Sequence, residues 1–147
     1  MDNILSHFGL VKKAGRIAIG EEPVGAACRA RDSVLVVLAS DIAENSARRA
    51  QYFAEISQCP CLPLPFDKAA LGGALGRSSC AMAAITDIGF AAALLKKLAA
   101  IDPEAYAAPH ALLEEKAGKA LQRQKEKRAH EKKLQRAKKK PWAQGKT

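Results

Sequence analysis

Nowhere does this 147-residue sequence carry an apolar run approaching the ~18–20 residues that a membrane-spanning helix needs. Its longest apolar strings, such as Val34 to Ala39, have the length of buried strands. Met1-Asp2-Asn3-Ile4 offers no positive region of the kind that opens a secretory signal. Cysteine is sparse: Cys28, Cys59, Cys61 and Cys80 are the four, with no export signal to carry them to an oxidising compartment. The expectation is a cytoplasmic protein with reduced thiols and no membrane partner.

Catalytic groupings are also missing. Of three histidines, His7 falls in the first helix, where a boundary or surface position is expected, and His110 and His130 fall in the C-terminal third. Cys59-Pro60-Cys61 has no second pair and no neighbouring histidine to complete four zinc ligands. The cysteines read as small buried thiols. Leu71-Gly72-Gly73-Ala74-Leu75-Gly76 is glycine-rich, but no strand leads into it, so it is not a dinucleotide fingerprint. Glu21 and Glu22 are adjacent on a helix and point in different directions. Their fit to the positive end of the helix dipole explains them without acid–base chemistry. No enzyme activity, metal or cofactor is expected, and no internal repeat is visible.

What the chain does have is charge, and it is unevenly placed. The total is 24 Lys/Arg against 15 Asp/Glu, a formal +9. Residues 116–147 hold 13 of the basic residues and two acids, Glu126 and Glu131, for a net of +11. The remaining 11 basic and 13 acidic side chains leave residues 1–115 at −2. An apolar fraction of 48% is enough for one core. This pattern fits a folded module with an appended polyanion-binding arm.

Periodicity gives the module its elements. Ile4, Leu5, Phe8, Leu10 and Val11 mark a first helix over Asn3–Ala14, stopped by Gly15. Arg16–Ile19 is a short strand, and a helix runs from Glu21 to about Arg31 with Pro23 in its first turn. Ser33–Ala39 is apolar on both faces, as a central strand covered by helices should be. A helix follows over Glu44–Ser57, with Ala47, Ala50, Phe53, Ala54 and Ile56 turned inward. Cys61–Pro65 is an extended edge piece. Asp67 caps a helix ending at Gly76, Ala81–Ile85 is a strand, and Asp87 caps a helix to about Ala100. Strands and helices alternate throughout, which predicts one α/β/α sandwich over residues 1–102. Residues 103–115 read as an alanine-rich joint with Pro109. Residues 116–147 form a basic tail whose few large apolar side chains, mainly Leu121 and Leu134, predict a frayed helix or disorder.

Within the module, Lys12, Lys13 and Arg16 lie around the end of the first helix. Gly20 opens a helix whose free N–H groups can meet a phosphate or a base edge. Arg77 and Ser78 follow the glycine-rich helix end. Together these predict a basic rim around a helix N-terminus.

Residues 3–101 resemble the ribosomal-protein superfamily of the archaeal L-seven-Ae and eukaryotic L-thirty-e proteins, closest to its bacterial YlxQ-like branch. The stretches that carry the resemblance are Leu10–Arg16, Gly20-Glu21-Glu22, Val36–Asp41, Leu71–Gly76, Ala84–Asp87 and Gly89-Phe90, in that order and spacing. The resemblance implies a three-layer α/β/α sandwich on a mixed four-stranded sheet. It also implies binding to structured RNA, typically a kink-turn, with the second helix's N-terminus reading sheared G·A pairs and the Gly76–Ser79 loop packing on a flipped nucleotide. Those kink-turn readers carry, after the glycine, one residue, then Asn, Glu, two residues and Lys. This chain has Glu22, Pro23 and Ala26 there.

The expected function is that of a non-catalytic, monomeric RNA-binding protein associated with ribosomal RNA and ribosomal proteins. Its site would comprise Lys12, Lys13, Arg16, Gly20, Glu21, Glu22, Ser40, Asp41, Arg77 and Ser78. Lys132, Lys133, Arg136, Lys138, Lys139 and Lys140 of the tail would add phosphate contacts, and Trp142 a stacking face. The alternative is a protein-interaction module on the same fold, localised to RNA by its tail.

Overall fold

The apolar run over Ser33–Ala39 becomes the centre of the molecule. In the computed structural model, which describes residues 2–138, it forms β2 (Leu35–Leu38), and all four of its residues are buried. β2 lies between β4 (Met82–Ile85) and β3 (Cys61–Pro63), and β1 (Ile17–Ile19) pairs with the far side of β4, giving the order β1-β4-β2-β3. β2 and β3 are parallel; β4 is antiparallel to both β1 and β2, so the sheet is mixed. Pro63 sits on the edge strand, where a missing N–H leaves no inner ladder bond unmade.

Side chains alternate across this sheet, and each face is covered by helices. Leu35 and Val37 join a core with Ile4, Phe8 and Val11 of α1 (Asp2–Lys13), Leu71 of α4 (Lys68–Ala74), and Leu94, Leu95 and Leu98 of α5 (Ile88–Ile101). Val36 and Leu38 turn the other way, to Val24 and Cys28 of α2 (Glu21–Arg29) and Ala50 and Ala54 of α3 (Glu44–Ser57). The result is a three-layer α/β/α sandwich with one apolar core per face. Each fully buried Leu, Val or Phe contributes about 1.5–3 kcal/mol. Two helix starts are fixed by side-chain caps: Asp67 accepts from the Ala70 N–H (2.7 Å) and Asp87 from the Phe90 N–H (2.9 Å).

Two sequence expectations are corrected. His7 is buried, 6% exposed. Its ring packs edge-on against Phe90, and Nε2 lies 3.0 Å from the Phe90 carbonyl, which can only accept, so that nitrogen carries the proton. A partner 83 residues away makes this burial tolerable. The second correction is larger. Residues 103–115, read as a joint, are helical, and residues 116–138 take the helical one of their two expected states; together they form one 36-residue helix, α6 (Pro103–Lys138). Tyr106 and Leu113 are buried in the α1/α4/α5 core, with Ala117 packed against it. They fall on one face because seven residues make close to two turns. The Tyr106 hydroxyl donates to the Pro63 carbonyl, which ties the start of α6 to the edge strand.

Candidate nucleic-acid interface

Antiparallel pairing decides which loops become neighbours. Ile19 faces Ala83 and Leu38 faces Met82, so the carboxyl ends of β1 and β2 meet the amino end of β4. Gly20 closes β1, and its N–H donates to the Met82 carbonyl (3.1 Å). Its φ of 96° belongs to the region that L side chains rarely adopt, which is why glycine stands here. Gly20 then starts α2 with no side-chain cap, unlike the aspartate-capped α4 and α5. Pro23 contributes no N–H, so Glu21 and Glu22 supply the open first-turn donors.

Ser40 and Asp41 leave β2 at this same pole, both exposed. The Ser40 N–H donates to the Phe66 carbonyl (2.7 Å), and Asp41 Oδ1 accepts from the Lys68 N–H (2.8 Å), so Asp41 holds the start of α4 against the pole. After α4 the chain turns at Gly76 (φ 70°) and doubles back along the helix. The Arg77 N–H donates to the Gly72 carbonyl (2.7 Å) and the Cys80 N–H to the Lys68 carbonyl (3.0 Å). Arg77 and Ser78 are exposed on this return segment. Lys12 Nζ donates to the Leu75 carbonyl (2.6 Å), fastening the end of α1 to the end of α4, where a cation also suits the helix dipole. Lys13 is exposed beside it.

Hydrogen bonds therefore link Gly20 to the start of β4, Asp41 to α4, and Lys12 to the Gly76–Arg77 turn. Arg16 stays beside Lys12 and Lys13, its N–H donating to the Val11 carbonyl (3.1 Å), but stands one length of β1 away from Gly20. It precedes β1 at the other end of the sheet, where its carbonyl accepts from the Thr86 N–H (2.9 Å). Of the tail residues, Lys132 and Lys133 are exposed on α6, and Arg136 and Lys138 belong to its helical span. Lys139, Lys140 and Trp142 lie outside the described residues.

One feature of this pole escaped the sequence reading. A groove of about 340 Å³ runs between α2 and α3, with Glu21, Arg29, Arg49 and Tyr52 on its walls. Arg49 pairs with Glu21 at 2.8 Å, both partly exposed, a contact worth at most about 1 kcal/mol. The Arg29 guanidinium sits 5.9 Å from the Phe53 ring centre, while Tyr52 is 61% exposed. The spacing Arg49–Tyr52 on one helix and Gly25–Arg29 on the other holds the signal, but only once the two helices are known to be neighbours.

Burial pushes all four thiols up, Cys61 to about 11, so at neutral pH they are protonated and poor nucleophiles. Unfolded thiols ionise from roughly pH 8.5. Above that value the unfolded chain loses protons that the folded chain retains, so stability falls as pH rises toward 11. Thermal melts between pH 8 and 10.5 should show that decline, and Cys61→Ala should flatten it; identical slopes would remove the thiol from the account. Among the described residues no three His, Cys, Asp or Glu side chains are grouped as a metal ion requires, and no helix is long and apolar enough to cross a membrane.

Comparison with known proteins agrees with this architecture. A family model described as the Ribosomal protein L7Ae/L30e/S12e/Gadd45 family matches residues 2–95. Among solved structures, a protein with unknown function from Bacillus halodurans C is similar, with a TM-score of 0.57 and 27% identity, covering 62% of this chain and 91% of that one. No curated protein matches. The family match takes in the four strands, the α2 pole and the Gly76–Ser79 turn, more than half of the chain. The chain belongs to the Ribosomal protein L7Ae/L30e/S12e/Gadd45 family.

Proposed function

We propose that this protein is a non-catalytic RNA-binding protein of the ribosome-associated kind, from the YlxQ-like bacterial branch, that docks a kink-turn-like RNA at the α2 pole. The observation that carries the reading is the open start of α2 at Gly20, hydrogen-bonded to the start of β4, the strand that the Arg77–Ser78 segment leads into. RNA bases are readable where a helix is distorted. The backbone N–H groups of Glu21 and Glu22 can donate to acceptors on such bases, and their carboxylates can accept from guanine amino groups. Arg77, Lys12 and Lys13 bring positive charge to the adjoining phosphates. The cations of α6 add phosphate contacts of their own.

Pro23 and Ala26 replace two polar readers of the strongest kink-turn binders, each worth roughly 1–3 kcal/mol. Modest selectivity is the expected consequence. The full chain should bind a kink-turn RNA several-fold more tightly than the same RNA with its sheared G·A pairs made Watson–Crick, at near-physiological salt. Arg77→Ala should cost about 1 kcal/mol, roughly fivefold in Kd. Equal affinity for both RNAs, unaltered by Arg77→Ala, would remove the α2 pole as a reader of RNA structure.

The exposed Tyr52 in the α2–α3 groove favours a second reading, in which this face docks another protein and RNA contact serves only to localise it. Under that reading Tyr52→Ala leaves RNA binding untouched and abolishes capture of a ribosomal-protein partner.

A further inference from the structure

α6 crosses the sandwich from one pole to the other. At its start, Tyr106 is bonded to Pro63, the carboxyl end of β3. Leu113 and Lys116 then share a cleft with Arg31, Ser33 and Cys59, beside the amino ends of β2 and β3. Ala117, Leu121 and Gln124 lie by Asp87 and Gly89, just beyond the carboxyl end of β4. This is the pole opposite Gly20, Asp41 and Met82, and it is where Arg16 lies. Every residue from Gly118 to Gln135 is exposed, and that stretch holds seven Lys/Arg against two acids. The cations recur at helical spacing: Lys116, Lys119, Arg123 and Lys127 follow one stripe, and Lys125, Arg128 and Lys132 another. Glu115 pairs with Lys119 and Glu114 with His110, and together with Asp32 and Asp87 these are the acids that adjoin the cleft residues in sequence. α6 lies beyond residue 95, where the family match ends.

Distance separates the open start of α2 from the α6 surface. The strands alone hold the poles about 13 Å apart, at ~3.3 Å for each of four residues. The helix past Gln124 projects roughly 20 Å further, at ~1.5 Å per residue. Both lengths exceed the screening length of about 8 Å at physiological salt. The field of the α6 cations is therefore largely screened at the α2 pole, and to bind RNA strongly they need phosphates of their own.

We propose that the projecting half of α6, with Arg31 and Lys116 at its base, is a second and separate RNA-backbone surface, so that one chain bridges two RNA segments. The bridge rests on the reading of the α2 pole as an RNA site, whereas the α6 surface stands on its own charge and exposure. The full chain, saturated with a labelled short kink-turn RNA, is titrated with a differently labelled short RNA duplex, and complexes are counted by two-colour coincidence. A ternary complex of one chain with both RNAs is expected. Lys125→Glu, Arg128→Glu and Lys132→Glu together, all exposed and all to a good helix former, should weaken duplex binding at least about tenfold. Kink-turn affinity should change by less than twofold. Competition between the two RNAs, or equal loss of both in the triple variant, overturns the proposal in favour of one continuous surface. A single RNA per chain that is lost with the triple variant and unmoved by Arg77→Ala overturns the bridge through failure of the α2-pole reading, and leaves the α6 surface standing.

Discussion

Gly72→Ala should lower stability by about 3 kcal/mol, near the upper end of what one inserted methyl costs in a packed site. The new Cβ would lie 2.7 Å from Ser79 Cα, 2.8 Å from its nitrogen and 2.9 Å from its carbonyl carbon. All three are backbone atoms, so no side chain can swing away. The segment cannot retreat cheaply, because Arg77 and Cys80 bond it to Gly72 and Lys68 of the same helix. Gly73 is the control: it is exposed, a Cβ there meets nothing within 4 Å, and alanine is the better helix former by about 1 kcal/mol. Thermal denaturation should therefore place Gly72→Ala roughly 10 °C below the parent and Gly73→Ala level with it or above. Because the displaced residues adjoin Arg77 and Ser78, Gly72→Ala should also blunt RNA discrimination at temperatures where the chain is still folded. Equal melting of the two variants would mean that the turn is not packed against α4.

The helix starts at Asp67 and Asp87 and the doubly buried strand at Val34–Ala39 were legible because their signals are local. A cap lies within three residues of its N–H, and a strand apolar on both faces announces itself in six. The burial of His7 was not legible, since the acceptor at Phe90 is brought to it only by tertiary packing. The grouping of Arg16 with Lys12 and Lys13 followed from sequence neighbourhood and is kept by the bond from the Arg16 N–H to the Val11 carbonyl, but the length of β1 sets Arg16 at the opposite end of that strand from Gly20. The docked first half of α6 was hidden for a different reason. Its core-facing residues, Tyr106, Leu113 and Ala117, are few, and Pro109 lies among them and removes one helical N–H. Composition beyond residue 116 is that of a solvated arm, and a helix docked for only its first half carries little periodicity overall. The α2 pole was half legible: Gly20 and the Gly76 turn mark where the backbone bends, while their adjacency is a property of strand order.

Ending the chain after Gln124 should leave a folded protein, and ending it after Asp102 should not. The shorter form loses Tyr106 and Leu113, which are 5% and 1% exposed, and uncovers the surface of α5 against which α6 packs. Deleting two such side chains costs roughly 5–8 kcal/mol, against a typical total of 5–15. The longer form keeps Tyr106, Leu113, Ala117 and Leu121. It sheds ten Lys/Arg and two acids, which takes the formal charge from +9 to +1. If half of those cations touch phosphate, the slope of log K against log salt for duplex RNA should become shallower by about 4.5, at ~0.9 per contact. Affinity for duplex RNA should fall with it, while that for a kink-turn seated at the α2 pole should hold within about twofold. Selectivity should move the other way, because the contacts removed are indifferent to structure while those at Gly20 and Arg77 are retained. The ratio of kink-turn to control affinity should therefore rise in the 1–124 form, at every salt concentration where binding is measurable. An unchanged slope would remove α6 from the RNA interface, and a ratio that fell to one would mean that α6, not the α2 pole, carries whatever discrimination the full chain shows.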